Sequence, residues 1–333
     1  MDKDKLIDRV SRIVVSPKGL LAIDESFSTC NERFEKLGVP TTAEKRQDYR
    51  ELLVTAPDIE QYVSAYILFD ETIRQSTKNG KSFVSVLQSK GINVGIKADE
   101  GLVPLKPGSE EKVTAGLDGL DFRLKEYANM GAIFAKWRAV YTIGAGLPSE
   151  ECMKTNAKYM AKYAMLCQAV DIVPIIEPEV SFDGDHSIEQ CFDVTAKNLD
   201  IIFTELRETG VFIPGIILKT GMVLAGKSSP VKSTTHEVAE MTIKCLRAHV
   251  PGEIGGIVFL SGGQSDEDAV LNLNEMHNMG TLPWPLTFSY GRAIQNNALR
   301  SWAANSSDRK TAQDVLLTAA KNCSLATIGQ YKK

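Results

Sequence analysis

One lysine in this chain has the setting for covalent chemistry. The apolar run Gly215-Ile216-Ile217-Leu218 ends in Lys219, and the small, non-helical pair Thr220-Gly221 follows. Burial disfavours ammonium ions, and a free amine at a barrel mouth attacks carbonyls to give a Schiff base. Other short apolar runs also end in polar residues: Asp24, Asp70, Lys97 with Asp99, Lys136 with Arg138, Glu177 with Glu179, Ser261 and Arg292. Lys136 and Arg138 stand two apart, as do Glu177 and Glu179, so each pair shares one face of a strand. If that face looks inward, cations and carboxylates surround Lys219. A carboxyl group there can shuttle protons during imine formation.

The elements that must position these groups read as strand and helix in alternation. Apolar runs cover residues 19–24, 65–70, 94–99, 132–138, 172–180, 215–221, 256–263 and 286–292. They lack clean polar alternation, which suits parallel strands covered on both faces. Pro178 predicts an irregular end to the fifth. Between the runs lie helical patterns. Thr41-x-x-Glu44 reads as a capping box ahead of Tyr49, Leu52 and Leu53. Ser149 begins a second pattern, with Met153, Ala157, Met160, Ala164 and Cys167 on one stripe. Phe192, Thr195, Leu199, Ile202 and Leu206 make a third, and Val238, Met241, Cys245 and Ala248 a fourth. Repeated to eight strands, this predicts an α/β fold, a (β/α)8 TIM barrel, whose strand C-termini meet at one mouth. No Gly-x-Gly-x-x-Gly turn follows the first strand, which disfavours an open doubly wound sheet. No linker divides the chain, so residues 1–333 read as a single domain, with a short tail over 323–333.

Two loops suit phosphate. Ser261-Gly262-Gly263-Gln264-Ser265 follows the seventh strand, and Ser289-Tyr290-Gly291-Arg292 closes the eighth. Bare N–H groups at a helix start bind phosphate, and Arg292 adds a charge-assisted contact. Composition excludes other classes. The net charge of −4 gives no general attraction to nucleic acid or anionic membrane. No apolar stretch is long enough to span a bilayer, and the charged N-terminus is no signal peptide. Six scattered cysteines without a Cys-x-x-Cys pair read as reduced core thiols of a cytoplasmic protein. Asp183-Gly184-Asp185-His186 reads as a turn rather than a metal cluster, and His236, His249 and His277 show no ligand spacing.

Taken in order, these segments resemble the class I, Schiff-base-forming fructose-1,6-bisphosphate aldolases. The likeness runs from about Lys18 to Gln330. It rests on Leu-Leu-Ala-Ile-Asp24-Glu25-Ser26, Gly95-Ile96-Lys97-Ala98-Asp99, Phe134-Ala135-Lys136-Trp137-Arg138, Ile176-Glu177-Pro178-Glu179, Leu218-Lys219, Leu260-Ser261-Gly262-Gly263-Gln264 and Ser289-Tyr290-Gly291-Arg292. The resemblance implies that Lys219 forms the imine and that Glu177 is acid and base for the carbinolamine. It implies that Lys136 and Glu179 balance charge, and that Asp24 takes the C4 hydroxyl proton. Ser261, Gly262, Gly263, Gly291 and Arg292 would hold the 1-phosphate; Ser26, Arg33 and Lys97 would lie near the 6-phosphate, and Arg138 would also bind substrate. The iminium is the electron sink, so no metal or cofactor is implied. The implied products are dihydroxyacetone phosphate and glyceraldehyde 3-phosphate. The implied assembly is a homotetramer in the cytoplasm. Lys219-Thr220-Gly221 stands where the family commonly has Lys-Pro-Asn, and Glu32 where it has a base. Two other readings stay open: a Schiff-base aldolase for sedoheptulose 1,7-bisphosphate or fructose 1-phosphate, and a non-catalytic binding scaffold.

Overall fold

The structure, a computed structural model, describes residues 1–333. The chain begins with α1 (Lys3–Ile13), β1 (Gly19–Ile23), α2 (Phe27–Glu35), α3 (Ala43–Val54), β2 (Val63–Leu68), α4 (Asp70–Ile73), α5 (Phe83–Ser89) and β3 (Asn93–Lys97). A hairpin of β4 (Leu102–Pro104) and β5 (Lys112–Thr114) leads to α6 (Leu120–Asn129) and β6 (Phe134–Tyr141). Then come α7 (Glu150–Ala169), β7 (Val173–Val180), α8 (Ile188–Glu208), β8 (Ile217–Thr220), α9 (Thr235–His249) and β9 (Gly256–Phe259). The chain finishes with α10 (Asp266–Asn278), β10 (Leu286–Tyr290), α11 (Arg292–Ala304) and α12 (Arg309–Ala326).

Strands β1, β10, β9, β8, β7, β6, β3 and β2 close into a barrel in that order. Every pairing around it is parallel. This is a (β/α)8 TIM barrel, as the eight apolar runs predict. Alternate strand residues, among them Leu21, Ile23, Leu218 and Phe259, pack outward with the helices in one large core. The intervening ones, among them Ala22, Phe134, Ile175 and Ile217, form a second apolar cluster with Leu6, Val10, Ile13 and Val14. Helix α1 therefore plugs the N-terminal end of the lumen. Phe134 fills that lumen so closely that a Cβ on Gly95 would stand 2.1 Å from its ring.

Strand periodicity then sets the site. Each lumen residue is followed two positions later by another inward one. Ile217 leads to Lys219, Ile175 to Glu177, Phe134 to Lys136 and Ala22 to Asp24.

Several local readings need correction. The cap of α3 is Thr42, whose side chain accepts from the Lys45 N–H, rather than Thr41; a Thr-Thr pair offers two start points, and packing selects the second. Strand β7 continues through Pro178 to Val180. Its ladder to β8 has ended at Ile176 and Leu218, leaving an edge where a missing N–H is tolerated. Asp70 opens α4 instead of ending β2. Helix α12 extends to Ala326, burying Cys323, Ser324 and Ala326, so the tail starts later than residue 323. The three-residue strands of the hairpin carry too few residues to show a period. Ser149 caps α7 through the Cys152 N–H, as its position before Glu150 and Glu151 predicts.

Candidate active site

Four side chains meet where the apolar lumen ends. Lys219 Nζ lies 3.0 Å from Glu177 Oε1. Lys136 Nζ lies 3.2 Å from Glu177 Oε2 and 2.7 Å from Asp24 Oδ2. A chain of contacts thus runs Lys219–Glu177–Lys136–Asp24, across β8, β7, β6 and the end of β1. Lys219 and Lys136 are each only 4 % exposed and Glu177 only 3 %. Charges this deep are tolerable because each has an opposite partner.

The electrostatics follow from that alternation. Burial pushes the Asp24 carboxyl up, but Lys136 and Lys219 outweigh it and bring it down to about 2. Burial likewise opposes ionisation of Glu177, and Lys136, Lys219 and Arg138 overcome it, leaving its pKa below the usual range. For Lys136 the desolvation penalty is exceeded by the attraction of Asp24 and Glu177, so its pKa is raised. The resting site holds both carboxylates ionised, each against an ammonium.

Further out on the same strands, Arg138 Nε meets Glu179 Oε2 at 2.5 Å. Glu179 therefore pairs with an arginine rather than a lysine. Lys97 Nζ lies 2.6 Å from Asp99 Oδ1 and donates to the Asp99 carbonyl. Ser26 caps α2, with its Oγ 3.0 Å from Ser28 Oγ and 3.2 Å from Thr29 Oγ1. Arg33 binds Glu25 and donates to Gln295 Oε1 at 3.2 Å. Arg50 binds the other oxygen of Glu25 at 2.7 Å. One half-buried carboxylate thus anchors two arginines, and Arg33 ties α2 to α11.

Apart from Arg50 and Gln295, these groups line one cavity of about 1340 Å³, which also reaches Ser261, Gly262, Gly291 and Arg292. Thirteen of the fourteen sequence-derived site residues line it; Gly263 does not. That glycine turns away, so that a Cβ on it would press against Phe182 at 2.9 Å. Gly262 and Gly263 both have positive φ, +46° and +85°, a backbone that favours glycine. Arg292 begins α11, directly after Gly291.

Two groups stand in motifs the sequence reading named, but it gave neither a role in the site. Ser289 is buried, lines the cavity and has no hydrogen-bond partner for its Oγ. Its signal was present: Thr287 and Ser289 are polar at alternate positions of an otherwise apolar strand. Glu25, the arginine anchor, had no signal beyond its place next to Asp24. Asp183–His186 forms bends between β7 and α8, in keeping with a turn. The six cysteines are all free and buried. Trp137 is fully buried and stacks on Tyr163 at 5.3 Å between ring centres. No helix is long and apolar enough to cross a membrane.

Comparison with known proteins gives a consistent result. The family described as "Glycolytic: Fructose-bisphosphate aldolase class-I" matches residues 5–333. A probable fructose-bisphosphate aldolase class 1 of Xanthomonas campestris is 48 % identical over 333 residues, all of both chains. The cytosolic fructose-bisphosphate aldolase 5 of Arabidopsis thaliana is 46 % identical, over 98 % of this chain and 92 % of the relative. Among solved structures, Plasmodium falciparum fructose-bisphosphate aldolase, crystallised with TRAP and a small-molecule inhibitor, superposes with a TM-score of 0.97. It is 44 % identical, covering 99 % of this chain and 96 % of that one.

Proposed function

Because the chain belongs to the class I fructose-bisphosphate aldolase family, we propose that Lys219, Glu177, Lys136 and Asp24 carry out a Schiff-base aldol cleavage in this barrel. The observation that carries the reading is the unbroken contact chain from Lys219 Nζ through Glu177 and Lys136 to Asp24.

Glu177 takes a proton from Lys219, and the freed amine attacks C2 of the ketose. Glu177 returns that proton to the carbinolamine hydroxyl, which leaves as water and yields the iminium. Asp24 then accepts the C4 hydroxyl proton as the C3–C4 bond breaks. The bonding electrons flow into the iminium, giving the enamine of dihydroxyacetone phosphate and free glyceraldehyde 3-phosphate. The positive charge on Lys219 is one of the two largest influences holding Asp24 low. That charge vanishes as iminium becomes enamine, so Asp24 grows more basic during the very step in which it must accept a proton. Lys136 keeps the carboxylate ionised and placed beforehand. Protonation of the enamine carbon and hydrolysis of the second iminium complete the turnover.

The buried orphan hydroxyl of Ser289 is available to the sugar oxygens, and the Ser261-Gly262 and Gly291-Arg292 loops to the 1-phosphate. Glu179 balances Arg138, and Ser26, Arg33 and Lys97 lie along the remaining wall. The cytosolic plant relative supports a cytoplasmic location, and family resemblance a homotetramer, which analytical ultracentrifugation would test.

Borohydride reduction with dihydroxyacetone phosphate, followed by peptide mapping, is the test. A reduced three-carbon phosphate adduct on Lys219, absent from Lys219→Ala, is expected. An enzyme that cleaves the bisphosphate yet yields no adduct there would remove the mechanism.

A further inference from the structure

We propose that Gln295 is a positioning residue for Asp24, its carboxamide holding the end of β1 where the barrel ladder no longer does; the inference rests on the Schiff-base cleavage above, in which Asp24 accepts the C4 proton. Strand β1 pairs with β2 as far as Ile23 opposite Leu68. Its pairing with β10 stops earlier, at Leu21 opposite Tyr290. Beyond Tyr290 the chain turns at Gly291 into α11, and the ladder ends. Asp24 therefore leaves β1 with strand support on one side only. A buried carbonyl on the open side needs a donor. Gln295, in the first turn of α11, supplies it: Nε2 donates to the Ala22 carbonyl at 2.5 Å. The Gln295 backbone N–H donates in turn to the Gly291 carbonyl at 3.0 Å. A Cβ on Gly291 would stand 3.2 Å from the Ala22 carbonyl oxygen, so the two segments are in close contact there.

The neighbours fix which way the carboxamide faces. Its Oε1 accepts from Tyr49 Oη at 3.0 Å and from Arg33 Nη1 at 3.2 Å. An arginine only donates and a carbonyl only accepts, so Nε2 is the atom turned to Ala22. Helices α2, α3 and α11 and strand β1 thus meet on one side chain. Gln295 is fully buried and lies outside the cavity lining, so it acts on substrate only through another group. That group is Asp24, two residues beyond Ala22, with its Oδ2 2.7 Å from Lys136 Nζ. The Lys219–Glu177 contact stands on β8 and β7, away from this junction. Loss of the carboxamide therefore weakens cleavage of the C3–C4 bond while leaving imine formation in place.

Two readouts per folded molecule test this: kcat for cleavage of fructose 1,6-bisphosphate, and the rate at which borohydride traps dihydroxyacetone phosphate on Lys219. Gln295→Met keeps the side-chain volume and removes both hydrogen-bonding groups. It should lower kcat about tenfold while trapping stays within about twofold of wild type. Gln295→Asn keeps a carboxamide one methylene shorter, out of reach of Ala22. It should show the same split at about threefold or more, and it decides the matter if the methionine variant does not fold. Tyr49→Phe removes one donor to Oε1 and leaves the Ala22 bond intact. It should lower Tm with kcat within about twofold. An unchanged kcat in the Gln295 variants, trapping that falls in parallel with kcat, or the same kcat loss in Tyr49→Phe would overturn the assignment. A wild type in which Lys219 is never trapped would sink the Schiff-base reading, and the assignment with it; a trapped wild type whose variants show no split would sink the assignment alone.

Discussion

The two halves of the barrel lumen are built on the same strands, in the same register, and they do opposite things. The half next to α1 is apolar: Phe134, Ile175 and Ile217 pack against Leu6, Val10 and Ile13. The half toward the mouth is ionic, with Lys136, Glu177 and Lys219 two residues further along those strands. The apolar half gives stability through close packing and asks only that volume be filled. The ionic half spends burial on charges, which is tolerable only where each charge finds its partner. Each mouth residue takes its inward direction from the backbone alternation of its strand, not from the side chain packed beneath it.

If the halves are separable in this way, substitutions should divide cleanly between rate and stability. Asp24→Asn should lower kcat for bisphosphate cleavage by roughly 10²–10⁴-fold, because the amide cannot accept the C4 proton. Lys219 should still be trapped by borohydride with dihydroxyacetone phosphate, since that adduct needs no C4 base. Phe134→Ala, two residues before Lys136, should instead cost about 3–5 kcal/mol in denaturant unfolding. Its kcat per folded molecule should stay within a few-fold. If Phe134→Ala depressed kcat as Asp24→Asn does, the two halves would be one unit and the comparison would fail.

Much of this division was legible in the sequence, for a physical reason. A parallel strand buried on both faces has to be apolar, so Lys219 or Glu177 at its end is conspicuous. The same constraint made all eight barrel strands visible, along with the charged groups at their ends; Ser26 and Arg33 came from the family resemblance, and Gly262 and Gly291 from the glycine-rich loops. Less visible were features without a period or a charge. The three-residue strands of the β4–β5 hairpin are shorter than any pattern. Ser289 is a small polar residue whose significance comes from being buried without a partner, a property of the fold. Arg33 was legible as a cavity residue, but its commitment to Glu25 and Gln295 depends on α2 meeting α11, a contact far apart in the chain. Gly263 shows the converse error: a glycine-rich loop reads as one unit, yet only part of it faces the ligand space.

The finest test of the comparison is pH, since the apolar half has nothing to titrate. At the mouth, the loop after β7 is zipped to the loop after Lys219 by three backbone bonds, from Gly226 to His186, Lys227 to Phe182 and Ser228 to Gly184, each 2.8 Å. His186 sits inside this clasp, only 4 % exposed, with no partner for Nδ1. Burial holds its pKa below the ordinary 6.5, against a smaller opposing pull from Asp185. The folded state thus keeps His186 neutral where the unfolded chain already binds a proton. Its contribution to stability is complete above pH 6.5 and is lost as pH falls from there through the lowered folded value. His277, on α10, is also held low by burial and acts in the same direction. Wild-type Tm should therefore fall between about pH 7 and 5. His186→Gln should make that fall shallower, the remainder being the balance of His277 against exposed His236, whose pKa the Glu275 contact raises and which acts the opposite way, whereas Phe134→Ala should lower Tm at every pH and keep the wild-type slope. A slope unchanged by His186→Gln would mean that the clasp behind Lys219 does not depend on a neutral imidazole.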